Sequence, residues 1–96
     1  MSRALKAITL ASVAMLSLVV ALPASAEPTC TEQSKSAWMS EDAMKAKVAE
    51  LGFKDIRRFK TTDTNCYEIY GYTADGSKAE VYFDPVDGSI VQQKID

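Results

Sequence analysis

Residues 66–84, CYEIYGYTADGSKAEVYFD, alternate in polarity, and this pattern constrains the fold more than any other part of the chain. Successive side chains of a β-strand point to opposite faces of a sheet, so the alternation predicts two strands, 66–73 and 78–84. Asp75 and Gly76 lie between them and form a strong signal for a tight hairpin turn. We therefore expect an antiparallel hairpin with two chemically different faces.

The two faces of the predicted hairpin differ in composition. We expect the more apolar one to form the core; it carries Tyr67, Ile69, Gly71, Ala79, Val81 and Phe83. The opposite face, called the tyrosine face below, carries Tyr70, Tyr72 and Tyr82, interleaved with Glu68 and Glu80. Tyrosine is enriched in binding surfaces because it buries a large rigid ring and keeps a polar tip. Two interpretations stay open: a binding surface, or ordinary cross-strand pairs that are wet or covered by a tail, residues 30–38.

One helix is predicted before the hairpin, from Ser40 to Leu51. Ser40 is a good N-cap, and the acidic residues that follow it suit the first turn, where the helix dipole favours negative charge. Met44, Val48 and Leu51 recur at helical spacing and form a narrow apolar stripe. Gly52 supplies the left-handed position that ends many helices. We expect the stripe to pack on the apolar face of the hairpin.

The segment FKDIRRFK follows neither strict alternation nor helical spacing, and it predicts a strand with a bulge over residues 54–60. Within it, Arg57 and Arg58 are a candidate site for a small anion or a carboxylate, but a solvated strand edge is the preferred interpretation. A last short strand is predicted at 89–93, after the turn DPVDG. The predicted fold class is α+β: one N-terminal helix packed on a small antiparallel sheet of three to four strands, in the order α-β-β-β.

The start of the chain has the pattern of a secretory signal peptide. Arg3 and Lys6 precede an apolar run, residues 7–22, and Ala24-Ser25-Ala26 fits a cleavage site. The run is shorter than the ~20 apolar residues that cross a bilayer, so we expect no stable membrane anchor after cleavage and a periplasmic or secreted protein. The predicted organisation is a signal peptide at 1–26, an N-terminal tail at 27–39 and an α+β domain at 40–96.

Cys30 and Cys66 are the two cysteines of the chain. Their even number and the oxidising compartment predict a disulfide, which would tether the tail to the domain. A domain of about 70 residues builds only a marginal core, so such a bond would matter for stability. Free or intermolecular thiols and a redox-active pair are the alternatives, but the close C-x-x-C spacing of a redox pair is absent.

Charge and composition argue against several functions. Without the leader, nine Lys and Arg stand against 13 Asp and Glu, with no basic block, so nucleic acid and anionic membrane surfaces are poor partners. Histidine is absent and no nucleophile–base pair is recognisable, so we expect no enzyme and no cofactor. Asp84 and Asp87 offer oxygen ligands for Ca²⁺, but turn carboxylates more often serve the turn, and we predict no metal site.

Three motifs follow one another along the chain: AWMSEDAMKAKVAELGF, then DIRRFK, then CYEIYGYTADGSKAEVYFDPVDGSIV. In this order they resemble a small exported member of the PepSY family over residues 38–91. The resemblance implies a helix on an antiparallel sheet. PepSY domains occur in the propeptides of secreted metalloproteases, so it also implies regulatory or inhibitory binding of a protein, with an exported peptidase as the candidate partner. The alternative is a periplasmic binder of a small ligand or metal ion.

The candidate binding surface combines the tyrosine face with the two neighbouring arginines. Tyrosines would be the anchors, and the two glutamates would favour a partner that carries Lys or Arg. The arginines would extend the surface with the opposite charge. The set is Tyr70, Tyr72, Tyr82, Glu68, Glu80, Arg57 and Arg58.

Overall fold

A computed structural model of the chain describes residues 26–96, so the predicted signal peptide lies outside the described residues except for Ala26. In this segment one α-helix precedes a four-stranded antiparallel sheet in which the strands pair in sequence order, which confirms the predicted α+β class. No helix of the described segment is long and apolar enough to cross a membrane. The elements are α1 (Glu41–Glu50), β1 (Lys54–Thr61), β2 (Tyr67–Tyr72), β3 (Lys78–Phe83) and β4 (Ile90–Ile95).

The helix begins and ends as its sequence predicts. The Ser40 side chain accepts a hydrogen bond from the Ala43 amide at 3.1 Å, which satisfies one of the free N–H groups of the first turn. Gly52 takes a φ of 93°, where a residue without a side chain is favoured. The prediction that Leu51 joins the core is wrong, since this residue caps the helix and is 46 % exposed. Phe53 packs against the core in its place.

The core lies between α1 and the apolar face of the hairpin. Cross-strand partners confirm the predicted faces, because Ile69 lies opposite Val81 and Tyr67 opposite Phe83. The Phe53 ring adds an edge-on contact to Phe83, with centroids 6.4 Å apart. The buried cluster consists of Met44, Val48, Tyr67, Ile69, Ala79, Val81 and Phe83.

A bulge interrupts β1, as its irregular sequence predicts. The register with β2 shifts between Lys54 and Arg58, and Asp55 within this stretch has a φ of 50°. Ile56 lies over Gly71 of β2, where an added Cβ would come within 2.7 Å of the Ile56 Cδ1 atom. A glycine at this point therefore lets the bulged strand approach β2 closely.

Strand β4 is longer than the predicted 89–93 and ends at Ile95. The register of β4 with β3 shifts near Tyr82 and Phe83. Such an irregularity breaks the alternation of side chains, so the sequence did not mark where β4 ends. Ile90, Val91 and Ile95 lie in this edge strand and remain 39–43 % exposed.

Candidate binding surface

The strand pairing places all five predicted hairpin residues of the tyrosine face on one side of the sheet, opposite α1. Directly paired residues share a face, so cross-strand rows run over this surface. From the end near Cys66, the rows are Lys60–Glu68–Tyr82–Gln92, then Arg58–Tyr70–Glu80–Lys94, then Lys54–Tyr72–Lys78.

The two central residues of the first row are buried, which favours, at this end, the interpretation of a face covered by a tail. Glu68 is 1 % exposed and Tyr82 is 6 % exposed, although neither faces the helix. Residues 27–30 of the tail cover this end: the Pro28 carbonyl oxygen lies 3.2 Å from the Cys66 sulfur, and the Glu27 carboxylate is close enough to act on Tyr82. The covering segment therefore lies mostly ahead of the 30–38 stretch that the sequence suggested.

A disulfide between Cys30 and Cys66 holds the tail in place and confirms the predicted tether. The Cys30 amide also donates to the Thr64 carbonyl at 3.1 Å, and the Asn65 side chain donates to the Thr31 carbonyl at 3.2 Å. These contacts join the tail to the turn between β1 and β2. The tail is thus fixed to the start of β2 by one covalent bond and two hydrogen bonds.

Beyond this anchor the tail passes to the helix side of the sheet. The Trp38 indole donates to the Gln33 carbonyl at 3.0 Å and its ring stands edge-on to Tyr67, with centroids 5.6 Å apart. The Tyr67 hydroxyl donates to the Met39 carbonyl at 2.8 Å. Burial of its ring is the main reason why the pKa of Tyr67 is raised.

Glu68 is an acidic side chain in an almost fully buried position. Its nearest cation is the Lys60 ammonium, 3.3 Å from one carboxylate oxygen, and neither oxygen accepts a hydrogen bond of good geometry. Burial is the main reason why the pKa of Tyr82 is raised, and the neighbouring Glu68 carboxylate is the second reason. Glu68 and Tyr82 are therefore a covered pair at the centre of the first row, whereas Lys60 and Gln92 at its ends remain accessible.

The rest of the tyrosine face is open and carries two arginine–tyrosine stacks. The Arg57 guanidinium lies 5.9 Å from the centre of the Tyr72 ring, and that of Arg58 lies 5.8 Å from the centre of the Tyr70 ring. Tyr70 is 37 % exposed. Hydrogen bonding of its hydroxyl to the Glu80 carboxylate, followed by burial, raises the pKa of Tyr70 to about 12.

A groove of about 350 Å³ opens between these side chains. Among the predicted site residues, Arg57, Tyr70, Tyr72 and Glu80 line it, whereas Arg58, Glu68 and Tyr82 do not. Sequence reasoning missed three further charged residues of the lining. Lys78 lies two residues before Glu80 in β3, so the alternation placed it on the same face. Lys94 and Asp96 could be found only with the true length of β4. These three residues are Lys78, Lys94 and Asp96.

The turn between β3 and β4 uses its two acidic side chains internally. Asp84 accepts a hydrogen bond from the Val86 amide and Asp87 accepts one from the Ser89 amide, each at 2.9 Å. The second bond is the main reason why the pKa of Asp87 is lowered. Over residues 26–96, no group of three or more Cys, Asp or Glu side chains is arranged to hold a metal ion.

Comparison with known proteins places this fold in a family. No curated protein and no solved structure matches the chain. A family model, PepSY_2, described as "Peptidase propeptide and YPEB domain", matches residues 9–94. The match spans nearly the whole chain, including the helix, all four strands and both arginine–tyrosine stacks. The chain therefore belongs to the peptidase propeptide and YPEB domain family, as its motif order indicated.

Proposed function

We propose that this protein is an exported, non-catalytic binding module that regulates or inhibits a peptidase. The family, whose description names peptidase propeptides, supports the link to peptidases. The disulfide between Cys30 and Cys66 supports export, because such bonds persist in oxidising compartments. In this proposal residues 1–26 are a signal peptide that is removed, 27–39 form the tethered tail, and 40–96 form the binding domain.

We place the contact with the partner on the open end of the tyrosine face, comprising Arg57, Arg58, Tyr70, Tyr72 and Glu80. The observation that carries this assignment is the pair of cation–π contacts, in which a guanidinium lies beside the ring of the exposed Tyr70 and beside that of the partly buried Tyr72. A braced aromatic side chain loses little conformational freedom on binding, so such residues are typical anchors of protein interfaces.

The buried end of the face is left out of this surface. Tyr82 was predicted to be an anchor, but its ring lies beneath the tail and is 6 % exposed. Glu68 is covered in the same way. Their proposed role is to support the strands beside the open end.

Binding of a small ligand was the alternative function, and it called for a closed pocket lined by tyrosines. The groove instead lies among exposed side chains, including Arg57, Lys78 and Lys94. A shallow surface of this kind suits a protein partner better than a small molecule.

The experiment compares two variants that differ in the surface they alter. The test variant is Tyr70→Ser with Tyr72→Ser, and the control is Leu51→Ser, which alters an apolar side chain that is 46 % exposed at the end of α1. The oxidised protein serves as bait in a periplasmic extract, and captured peptidases are assayed for inhibition by each purified variant. Circular dichroism establishes that each variant is folded.

We expect the tyrosine variant to lose capture and inhibition while it keeps its circular dichroism spectrum, and the Leu51 control to behave like the native protein. Full inhibition by the folded tyrosine variant would remove the open end from the proposal. Failure of the native protein to inhibit any captured peptidase would refute the regulatory function itself.

A further inference from the structure

Positive charge is concentrated on the tyrosine face of an otherwise acidic domain. Of the nine Lys and Arg residues after the leader, six lie on this face, together with four of the 13 acidic residues when Glu27 of the tail is counted. The remainder of the domain then holds three cations and nine acidic residues. The face therefore has a net charge of +2 and the remainder a net charge of −6. The six cations are Lys54, Arg57, Arg58, Lys60, Lys78 and Lys94.

Two of the four acidic groups of this face have cationic neighbours within the protein. Glu68 is buried beside Lys60, and Glu80 lies directly across from Lys94. Because their charges are taken up by neighbours, they offer little attraction to a basic partner. This changes the expectation that the glutamates select a partner rich in Lys or Arg.

The two arginines are arranged to receive carboxylates. A guanidinium presents donors that bind a carboxylate in two parallel hydrogen bonds. The Arg57 guanidinium is in cation–π contact with Tyr72 and that of Arg58 with Tyr70, and both arginines are exposed and in no salt bridge within the described residues. Lys78 and Lys94 extend the positive surface along the same groove.

We infer that the open end of the tyrosine face recognises an acidic segment of the protein partner, with Arg57 in the groove and Arg58 beside it binding Asp or Glu side chains. This inference rests on the proposed function and adds the chemistry of the partner. The complementary charges would speed association and select against basic partners.

The test uses labelled peptides as probes. Three fluorescent 12-residue peptides of alternating sequence, Glu-Ala, Gln-Ala and Lys-Ala, are titrated with the oxidised protein by fluorescence anisotropy at low and physiological salt. We compare the native protein with Arg57→Gln/Arg58→Gln and with the matched control Lys35→Gln/Lys47→Gln. The control lysines lie in the tail and in α1 and line neither of the two cavities beside Arg57.

We expect the Glu peptide to bind about tenfold more tightly than the Gln peptide, because two charged pairs form. The arginine variant should lose about this factor and the lysine control less than about twofold. Physiological salt should weaken the native interaction, since exposed charges are screened beyond about 8 Å. Equal binding of the Glu and Gln peptides, or an equal loss in the lysine control, would overturn the inference.

Two further arms test whether the recognised charge belongs to a protein segment and whether the arginines take part in inhibition. Tighter binding of a single-stranded oligonucleotide or of anionic lipid vesicles than of the Glu peptide would overturn the inference in favour of those partners. Unchanged peptidase inhibition by the arginine variant, with inhibition lost in Tyr70→Ser/Tyr72→Ser, would overturn it and leave the proposed function intact. A third outcome separates the two proposals. If the arginine variant loses binding of the Glu peptide but the native protein inhibits no peptidase, the inference is supported and the proposed function is refuted.

Discussion

Removal of the disulfide is the perturbation whose size follows most directly from the structure. The bond joins residues 36 apart in sequence, and for a loop of this length the chain-entropy relation predicts a loss on the order of 4 kcal/mol. A domain of about 70 residues has a total stability of roughly 4–10 kcal/mol. We therefore expect the protein without the bond to lie close to its unfolding midpoint at ordinary temperatures.

Two local effects modify this magnitude in opposite directions. Release of the tail removes the hydrogen bond between Thr31 and Asn65 and the one between Cys30 and Thr64. We also expect it to expose the Tyr82 ring. It also returns the Glu68 carboxylate to water, which relieves a buried charge. Because these effects oppose each other, the loop-closure entropy should dominate, and the melting temperature should fall by about 15–30 °C.

The assay is urea unfolding of oxidised and reduced protein, followed by fluorescence of Trp38, the single tryptophan, which packs on Tyr67. The variant Cys30→Ala/Cys66→Ala serves as a control, since it should match the reduced protein and should not respond to reductant. Unfolding free energies of the oxidised and reduced proteins that agree within about 1 kcal/mol would refute the account of the tail as a tether.

Three other predictions test the register, the buried charge and the alkaline limit of the fold. Val81→Asp places a charge at a fully buried site and should unfold the domain, whereas Glu80→Ala, on the other face, should cost less than about 1 kcal/mol by circular dichroism melts; equal effects would mean a shifted register. Lys60→Met leaves Glu68 buried without its cation and should cost about 1–2 kcal/mol, whereas Glu68→Gln should be nearly neutral in urea unfolding, and the reverse order would contradict the buried pair. Because the folded pKa of Tyr70 is raised from 10.0 to about 12, its contribution to stability is complete below pH 10 and is lost between pH 10 and 12. Phenolate absorbance should show that Tyr70→Phe removes one late-ionising group and that Glu80→Gln lowers the pKa of Tyr70, and a titration that Glu80→Gln leaves unchanged would refute the Glu80 interaction.

Local sequence determined the elements whose signals lie within a few residues. Ser40 and Gly52 marked the ends of the helix because capping depends on side chains next to the terminus. The alternation of 66–84 determined the hairpin and its core face, because a strand presents every second residue to the same side. The irregular spacing around Arg57 and Arg58 predicted the bulge of β1, and two cysteines in a chain that was expected to be exported predicted their own bond.

Only the tertiary structure decided which part of the tyrosine face is exposed. The alternation that groups Tyr70 with Tyr82 carries no information about segments distant in sequence, so it could not show that residues 27–30 cover one end and leave the other open. It also could not bring Lys78 and Lys94 beside Arg57, since their proximity depends on the register of three strand pairs. Burial and local net charge depend on residues that are distant in sequence and become neighbours only in the fold. The sequence therefore supplied the candidate residues, and the packing of the tail and the sheet determined which of them are exposed.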